Sequence, residues 1–307
     1  MTTALIMHDT CARHVMSPSH PESPQRLAAI TDQLKERHLF DLLSHIEAPE
    51  VDYAHLVRAH NNEYVDTIRS SSPSEGTIHL DADTAMNAWS LEASRRAAGA
   101  GILATEQVAS GKVNSAFCAV RPPGHHAERQ TAMGFCLFGS IAAAALYAVE
   151  ELGMKRVAIV DFDVHHGNGT EDIVHDNPNV LFCSSFQHPH FPGYYRPSVE
   201  GQLVNVPLDA GTGSAQFREA IEAKWFPALE AYQPEMLFIS AGFDAHREDP
   251  LASLALTDQD FAWITERLMD TADRHCDGRI VSMLEGGYAL SALGRSAAEH
   301  VKVLMQV

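Results

Sequence analysis

Basic residues are scarce in this chain. Against 40 aspartates and glutamates there are 22 lysines and arginines among 307 residues, a net charge of −18 at pH 7. A nucleic-acid surface needs a basic stripe, so no nucleic-acid partner is expected; a cationic or lysine-bearing substrate suits the balance better. Cysteines are few as well. The five (Cys11, Cys118, Cys136, Cys183, Cys276) are odd in number and widely spaced, with no C-x-x-C pair. That argues against a disulfide framework or a thiolate zinc site, and for reduced thiols. No run approaches the roughly 18 apolar residues of a membrane span. The opening "MTTALIMHDT" lacks the basic segment and apolar core of a secretory signal. A cytoplasmic protein with no membrane partner is the expectation. Linker-like composition is also missing: the one serine-rich patch, "RSSSPSEGT" (69–77), is too short to separate domains and reads as a surface loop.

What is present is an alternation. Strand-like apolar stretches occur at 4–8, 115–120, 156–163, 180–185, 236–241 and 279–284, with helix-like segments near 88–109, 138–152, 214–230, 258–275 and 289–304. Near-continuous apolar strands separated by helices indicate βαβ units and a parallel sheet covered on both faces. The expected fold class is α/β, with residues 1–307 forming one domain.

Ligands of open parallel sheets bind outside the carboxyl ends of the strands, and here those ends carry the polar residues. "RVAIVDFDVHHGNGT" runs from a buried-type strand directly into Asp161, Asp163 and His165. With a period of two, these three share one side while Val160, Phe162 and Val164 take the other. Two carboxylates and an imidazole beside a sheet interior repel and desolvate one another unless a cation joins them. Asp244, after "MLFISAGF", is the next carboxylate at a strand end. Asp163, His165 and Asp244 make a three-ligand set that leaves a coordination position for water, as catalytic metals require, and Asp161 would orient a neighbouring histidine. The plainer reading makes these aspartates helix caps or turn residues.

"RPPGHHAERQTAMGF" (121–135) places His125 and His126 on a loop stiffened by two prolines. Paired histidines with unperturbed pKa near 6.5 suit proton transfer at neutral pH. Asp161 and Asn168 are the candidate partners for their second nitrogens. An aspartate favours imidazolium and a neutral asparagine does so less, which would give the pair different roles. In "LEGGY" (284–288), two glycines would let Tyr288 swing over a pocket mouth and offer a phenol to an oxyanion; a packing role for Tyr288 is the alternative.

"RPPGHH…GFC", "DFDVHHGNGT", "AGFDAHREDPL" and "LEGGY", in this order, resemble the histone deacetylase family of the arginase–deacetylase superfamily, nearest its class II and bacterial amidohydrolase branch. The likeness runs from "HPESPQRL" (20–27) to "LEGGY". It implies a predominantly parallel eight-stranded sheet with helices on both faces. It further implies a zinc-dependent hydrolysis of N-acylated amines, acyl-lysine first, with acetyl-polyamine as the alternative. By resemblance, Asp163, His165 and Asp244 match the Zn2+ ligands. His125 pairs with Asp161, His126 is the general base paired with Asn168, and Tyr288 polarises the scissile carbonyl. Gly134, Phe135, Phe191 and Leu251 match the acyl-lysine tunnel and its mouth. Asp161, Asp163 and His165 (through backbone oxygens), with Ser184 and Ser185, match a structural K+ site. Bacterial relatives often form dimers or tetramers, so a homo-oligomer is expected.

Two departures stand out. Phe186 replaces a usual histidine, and "FPGYY" replaces the common "FPGTG", adding Tyr194 and Tyr195; both changes are expected near the pocket mouth. Leu251 favours acyl-lysine over polyamine, which relatives hold with an acid at the mouth; Asp81, Asp83 and Glu75 could supply one from other loops. An arginase-like two-metal hydrolase is disfavoured by the "GGY" tyrosine, and an inactive acyl-lysine binder by the completeness of the set.

Overall fold

The computed structural model describes residues 2–307. In chain order its strands are β1 (Thr3–Met7), β2 (Ser44–Glu47), β3 (Thr77–His79), β4 (Ala85–Asn87), β5 (Ser115–Cys118), β6 (Val157–Asp161), β7 (Val180–Gln187), β8 (Leu203–Leu208), β9 (Met236–Ala241) and β10 (Ile280–Leu284). The helices are α1 (Gln25–Glu36), α2 (Tyr53–Ala59), α3 (Asn62–Ser71), α4 (Ser90–Ala109), α5 (Ser140–Glu150), α6 (Asn168–Val174), α7 (Ser214–Tyr232), α8 (Asp258–His275) and α9 (Leu290–Met305). Eight strands form one sheet in the order β2-β1-β5-β10-β9-β6-β7-β8, and every pairing in it is parallel. The α/β expectation therefore holds. The short β3–β4 ribbon is antiparallel and separate.

The central strands β5, β10, β9 and β6 are buried along their whole length. Only a sheet covered on both faces lets apolar runs of this kind be hidden from water. One cover is α4 with α5, which pack on each other and on the middle strands. The alanine run of α5, "SIAAAALYAVE", allows that close approach: Gly101 of α4 sits against Ala144 and Met283. The other cover is a chain of contacts from α1 through α9 and α8 to α7. Helix α8 begins with a capping box, in which Thr257 and Asp260 satisfy each other's backbone N–H groups, an arrangement that ends stray donors at a helix start.

Strand order explains how the polar strand ends meet. After β1 and β5 the chain crosses to β6, proceeds outward to β7 and β8, and only then fills the middle with β9 and β10. The four strands whose carboxyl ends carry the motifs are thus immediate neighbours. Both edges are short or irregular. Strand β2 is "SHIE", half exposed, and β8 contains Pro207, a residue compatible with an edge because it donates nothing to the ladder. The serine-rich stretch is corrected at both ends: residues 69–71 close helix α3 and Thr77 opens β3, so the loop lies between them.

Beneath the motif-bearing ends lies a wholly buried ion network. Glu22, just before α1, accepts from Arg26 and Arg121, and His14 Nε2 stands 3.5 Å from it. Arg26 in turn donates to the carbonyls of Gly287 (2.7 Å) and Glu285, while Arg121 donates to those of Cys11 (2.7 Å) and His14 (3.2 Å). Removing one partner from such a group strands the others in a low dielectric. Glu22→Ala is therefore expected to lower the unfolding free energy by about 3–5 kcal/mol, read by denaturant titration. Burial alone would raise the Glu22 carboxyl, but Arg121, His14 and Arg26 outweigh it and bring it down from 4.5 to about 2. Its contribution is fully present above about pH 4.5 and is lost as pH falls towards about 2, so the gap between wild type and Glu22→Gln should close over that window.

Candidate active site

Strand β6 ends at Asp161, and the chain then turns with Phe162 and Val164 in the core and Asp163 and His165 on the opposite side. His165 Nδ1 lies 3.1 Å from Asp163 Oδ1 and 3.2 Å from Asp244 Oδ2. Among the described residues, these three form the one group of at least three His, Cys, Asp or Glu side chains whose ligand atoms all fall within 4.8 Å of one another. Their outer atoms are held: Val164 N–H donates to Asp244 Oδ1 at 2.9 Å and Gly286 N–H to Asp163 Oδ2 at 2.7 Å. Gly286 has to be glycine, since a Cβ there would collide with both carboxylates.

The electrostatics call for a cation. Asp163 and Asp244 are essentially sealed from solvent. Burial, with Asp163 beside it, pushes the Asp244 carboxyl up to about 7. Two buried carboxylates that cannot both be comfortably ionised become so when a divalent ion supplies the opposing charge. The donor set of two oxygens and one nitrogen fits Zn2+ and leaves room for water.

The histidine pair divides as its partners dictate. His125 Nδ1 is 3.0 Å from Asp161 Oδ2, and its Nε2 is 3.7 Å from Asp163 Oδ2. Burial opposes a charge on His125, yet Asp163 and Asp161 prevail and push it up to about 10. His126 Nδ1 bonds Asn168 Oδ1 at 2.7 Å; burial and the neighbouring histidines push its pKa well below the ordinary value, so it is neutral. The two rings lie 4.0 Å apart. Gly134, at φ +56°, has no room for a Cβ because the His126 imidazole packs on it.

A cavity of about 220 Å3 opens above these groups, lined by Asp83, His126, Gly134, Phe135, His165, His190, Phe191, Leu251 and Tyr288. The four residues expected to form the tunnel are all in its wall. Tyr288 stands edge-on to Phe135 at 5.9 Å, with the Arg26 guanidinium 5.0 Å from its ring centre. Burial outweighs that cation and, with Asp244 and Asp163, raises the phenol well above 10, so it remains a proton donor.

Several contributors went unread in the sequence. Asp249 accepts from the backbone N–H of Tyr288 (2.7 Å), Ala289 (3.1 Å) and Leu251 (3.0 Å), fixing both the phenol's backbone and one cavity wall. Glu285 accepts from Gly124 N–H (2.7 Å) and His125 N–H (3.1 Å), tying the histidine loop to β10. His190 stacks on His165 at 5.1 Å. The acids in "REDPL" and "LEGGY" were visible, but nothing in one dimension says which backbone they will meet. Of the three acids considered for the mouth, only Asp83 lines the cavity. Asp81 closes its own turn, accepting from the N–H groups of Asp83 and Thr84, and Glu75 stays on an exposed loop. The two departures lie elsewhere than expected. Phe186 is buried against His166 with ring centres 4.5 Å apart, and neither Tyr194 nor Tyr195 is in the cavity wall. Ser184 Oγ bonds His166 Nδ1 at 3.0 Å, and Ser185 is buried beside it in β7.

A parallel α/β sheet with a metal-type triad, a histidine pair and a phenol around one cavity defines a hydrolase of the deacetylase type. The histone deacetylase domain profile matches residues 20–304, and the chain belongs to the histone deacetylase family, whose members are generally metal-dependent. It is 36% identical over 301 residues to a probable deacetylase of Archaeoglobus fulgidus, covering 94% of this chain and 82% of that one. It is 38% identical to an uncharacterized protein of Synechocystis sp., covering 98% and 99%. The crystal structure of the HDA15 HD domain superposes with a TM-score of 0.93 at 36% identity, over 99% of this chain and 90% of that domain.

If the buried triad is the metal site, chelator-treated protein titrated with Zn2+ should take up one ion per chain in calorimetry. Protons should be released as the metal displaces them from the site. Asp244→Ala should lose that binding while keeping its far-ultraviolet circular dichroism.

Proposed function

We propose that the protein is a zinc-dependent amidohydrolase that removes an acyl group from an N-acylated amine, acyl-lysine above all. The observation that carries this reading is that His126, His165 and Tyr288 share one apolar-walled cavity, with the rest of the O2N ligand set bonded to His165 and His125 stacked beside His126. Asp163, His165 and Asp244 would hold the zinc, which when bound lowers the pKa of water towards ~7 and polarises an amide oxygen; Fe2+ or Co2+ suits the same donors.

The chain's own groups do the rest. With Nδ1–H given to Asn168, His126 presents the Nε2 lone pair to the attacking water and takes its proton. His125, which burial opposes but Asp163 and Asp161 favour as imidazolium, would keep a positive charge beside the ligand carboxylate of Asp163, 3.7 Å from its Nε2. Tyr288 donates its phenol to that oxyanion. The proton gained by His126 then passes to the departing amine, and the products are a carboxylate and a free amine. Phe135, Phe191 and Leu251 exclude water and suit an unbranched methylene chain.

The potassium assignment rests on the likeness to the family, and one local feature supports it. Among the described residues, the carbonyl oxygens of Asp163 and His165 accept no hydrogen bond, leaving them available to a cation beside the buried Ser184 and Ser185. Asp83 favours a second reading. An acid in the cavity wall is what an acetylated polyamine's cationic tail requires, whereas Leu251 opposes it.

Tyr288→Phe is expected to lower kcat by about 10²-fold or more in the zinc-loaded enzyme. Comparing kcat/KM for an acetyl-lysine peptide, longer acyl-lysines and an acetylated diamine should rank the peptide first. A clear preference for the diamine, abolished by Asp83→Asn, would overturn the lysine assignment in favour of the polyamine.

A further inference from the structure

The replacement of "FPGTG" by "FPGYY" puts a phenol behind the catalytic histidines. Tyr194 is half exposed, yet its hydroxyl reaches inward and donates to Glu128 Oε1 at 2.6 Å. The same carboxylate oxygen accepts from Asn168 Nδ2 at 2.8 Å. Asn168 Nδ2 also lies 3.1 Å from the Tyr194 hydroxyl and 3.3 Å from Met133 Sδ. Every neighbour of that nitrogen is therefore an acceptor: a carboxylate, a hydroxyl whose proton is already committed, and a thioether. The far side of the amide, Asn168 Oδ1, faces His126 Nδ1 at 2.7 Å.

This matters because an amide has two unlike ends. With oxygen towards His126, the ring must carry its proton on Nδ1 and leave Nε2 free to act as a base. With nitrogen towards it, Nδ1 becomes the acceptor, the proton moves to Nε2 and the base is lost. Asparagine alone has no preference between the two orientations; a carboxylate set against its NH2 group decides.

We propose that Glu128, held by Tyr194, is a positioning residue that locks the Asn168 amide and thereby fixes the tautomer of His126. Glu128 is placed for this by its own loop. It follows the histidine pair by two residues, and its carbonyl accepts from His60 Nδ1 at 2.9 Å. The next residue, Arg129, donates its N–H to Asp172 Oδ2 at 3.1 Å on helix α6, which also carries Asn168. The loop and the helix are thus joined, and the lock spans the joint. Tyr194 arrives on a third segment, which is pinned to the same helix where Arg196 N–H donates to Glu171 Oε1 at 2.9 Å. The inference deepens the reading above, since it takes His126 to be the base.

The test is a double-mutant cycle on the zinc-loaded enzyme with an acetyl-lysine peptide. Glu128→Ala, and Glu128→Met to retain bulk, should lower kcat by about 10- to 100-fold with KM little changed, as losses of outer-shell partners do. Glu128→Gln should restore most of it, because a single oxygen accepts both bonds. In the Asn168→Asp background, where both ends of the side chain can accept, adding Glu128→Ala should cost nothing further. An equal penalty in both backgrounds would overturn the proposal, as would wild-type kcat in Glu128→Ala. Long-range nitrogen NMR of His126 gives a readout independent of turnover: the Nδ1–H tautomer in wild type and in Glu128→Gln, a mixture in Glu128→Ala and Glu128→Met. One tautomer throughout would overturn it too. His126→Ala separates the two levels: if that variant keeps its kcat, the base role fails. If it is inactive while Glu128→Ala is not, only the lock fails.

Discussion

Asp163, His165 and Asp244 lie together where water scarcely reaches, and much of the surrounding structure follows from keeping them there. Isolated buried carboxylates cost several kcal/mol each, so an arrangement that keeps two of them within hydrogen-bonding distance of one imidazole needs opposing positive charge and hydrogen-bond donors for the remaining oxygens. The backbone meets the second requirement: Val164 and Gly286 donate to the outer oxygens, and glycine at 286 is the only residue that leaves them space. The sheet meets the geometric one. Placing β9 and β10 last, between β5 and β6, makes four carboxyl ends neighbours, so that residues as distant in sequence as His126 and Tyr288 share one site.

A second layer holds those ends still. Arg26 donates to the Glu285 and Gly287 carbonyls, which fixes the segment leading to Tyr288 from below, and Asp249 takes the Tyr288 N–H from above. Glu285 extends the same clamp to the histidine loop through Gly124 and His125. None of these groups touches the cavity, yet each determines where a group that does touch it can stand. A catalytic arrangement that tolerates errors of only about half an ångström needs this kind of support.

The reading from sequence succeeded where one strand and the residues just after it suffice. The six apolar strands, helices α4, α5, α7, α8 and α9 and the strand-end motifs were legible because burial on both faces leaves a continuous apolar run and because chemistry collects at carboxyl ends; α1 and α3 were not read. Strands β2 and β8 were not, since one is four half-exposed residues and the other is interrupted by Asn205 and Pro207. Helices α2 and α6, of seven residues each, are too short to establish a period. The placement of Phe186, Tyr194 and Tyr195 near the mouth failed for another reason. Proximity in sequence to Phe191 says nothing about which way a loop side chain turns, and here Phe186 points into the core while Tyr194 turns towards the asparagine.

The position of Tyr194 also bears on how one fold gives the two histidines unlike partners. An aspartate beside His125 needs no orientation, because both of its oxygens accept and its charge favours the imidazolium. An asparagine beside His126 brings no charge to favour the imidazolium, but introduces an end-to-end ambiguity that an aspartate does not have. The neutral partner therefore brings a need for further residues around its amide, and Glu128, Met133 and Tyr194 are found there as acceptors. The groups around the cavity stand on strand ends that the sheet makes adjacent, whereas the acceptors around the Asn168 amide come from loops outside it, which the sheet does not constrain.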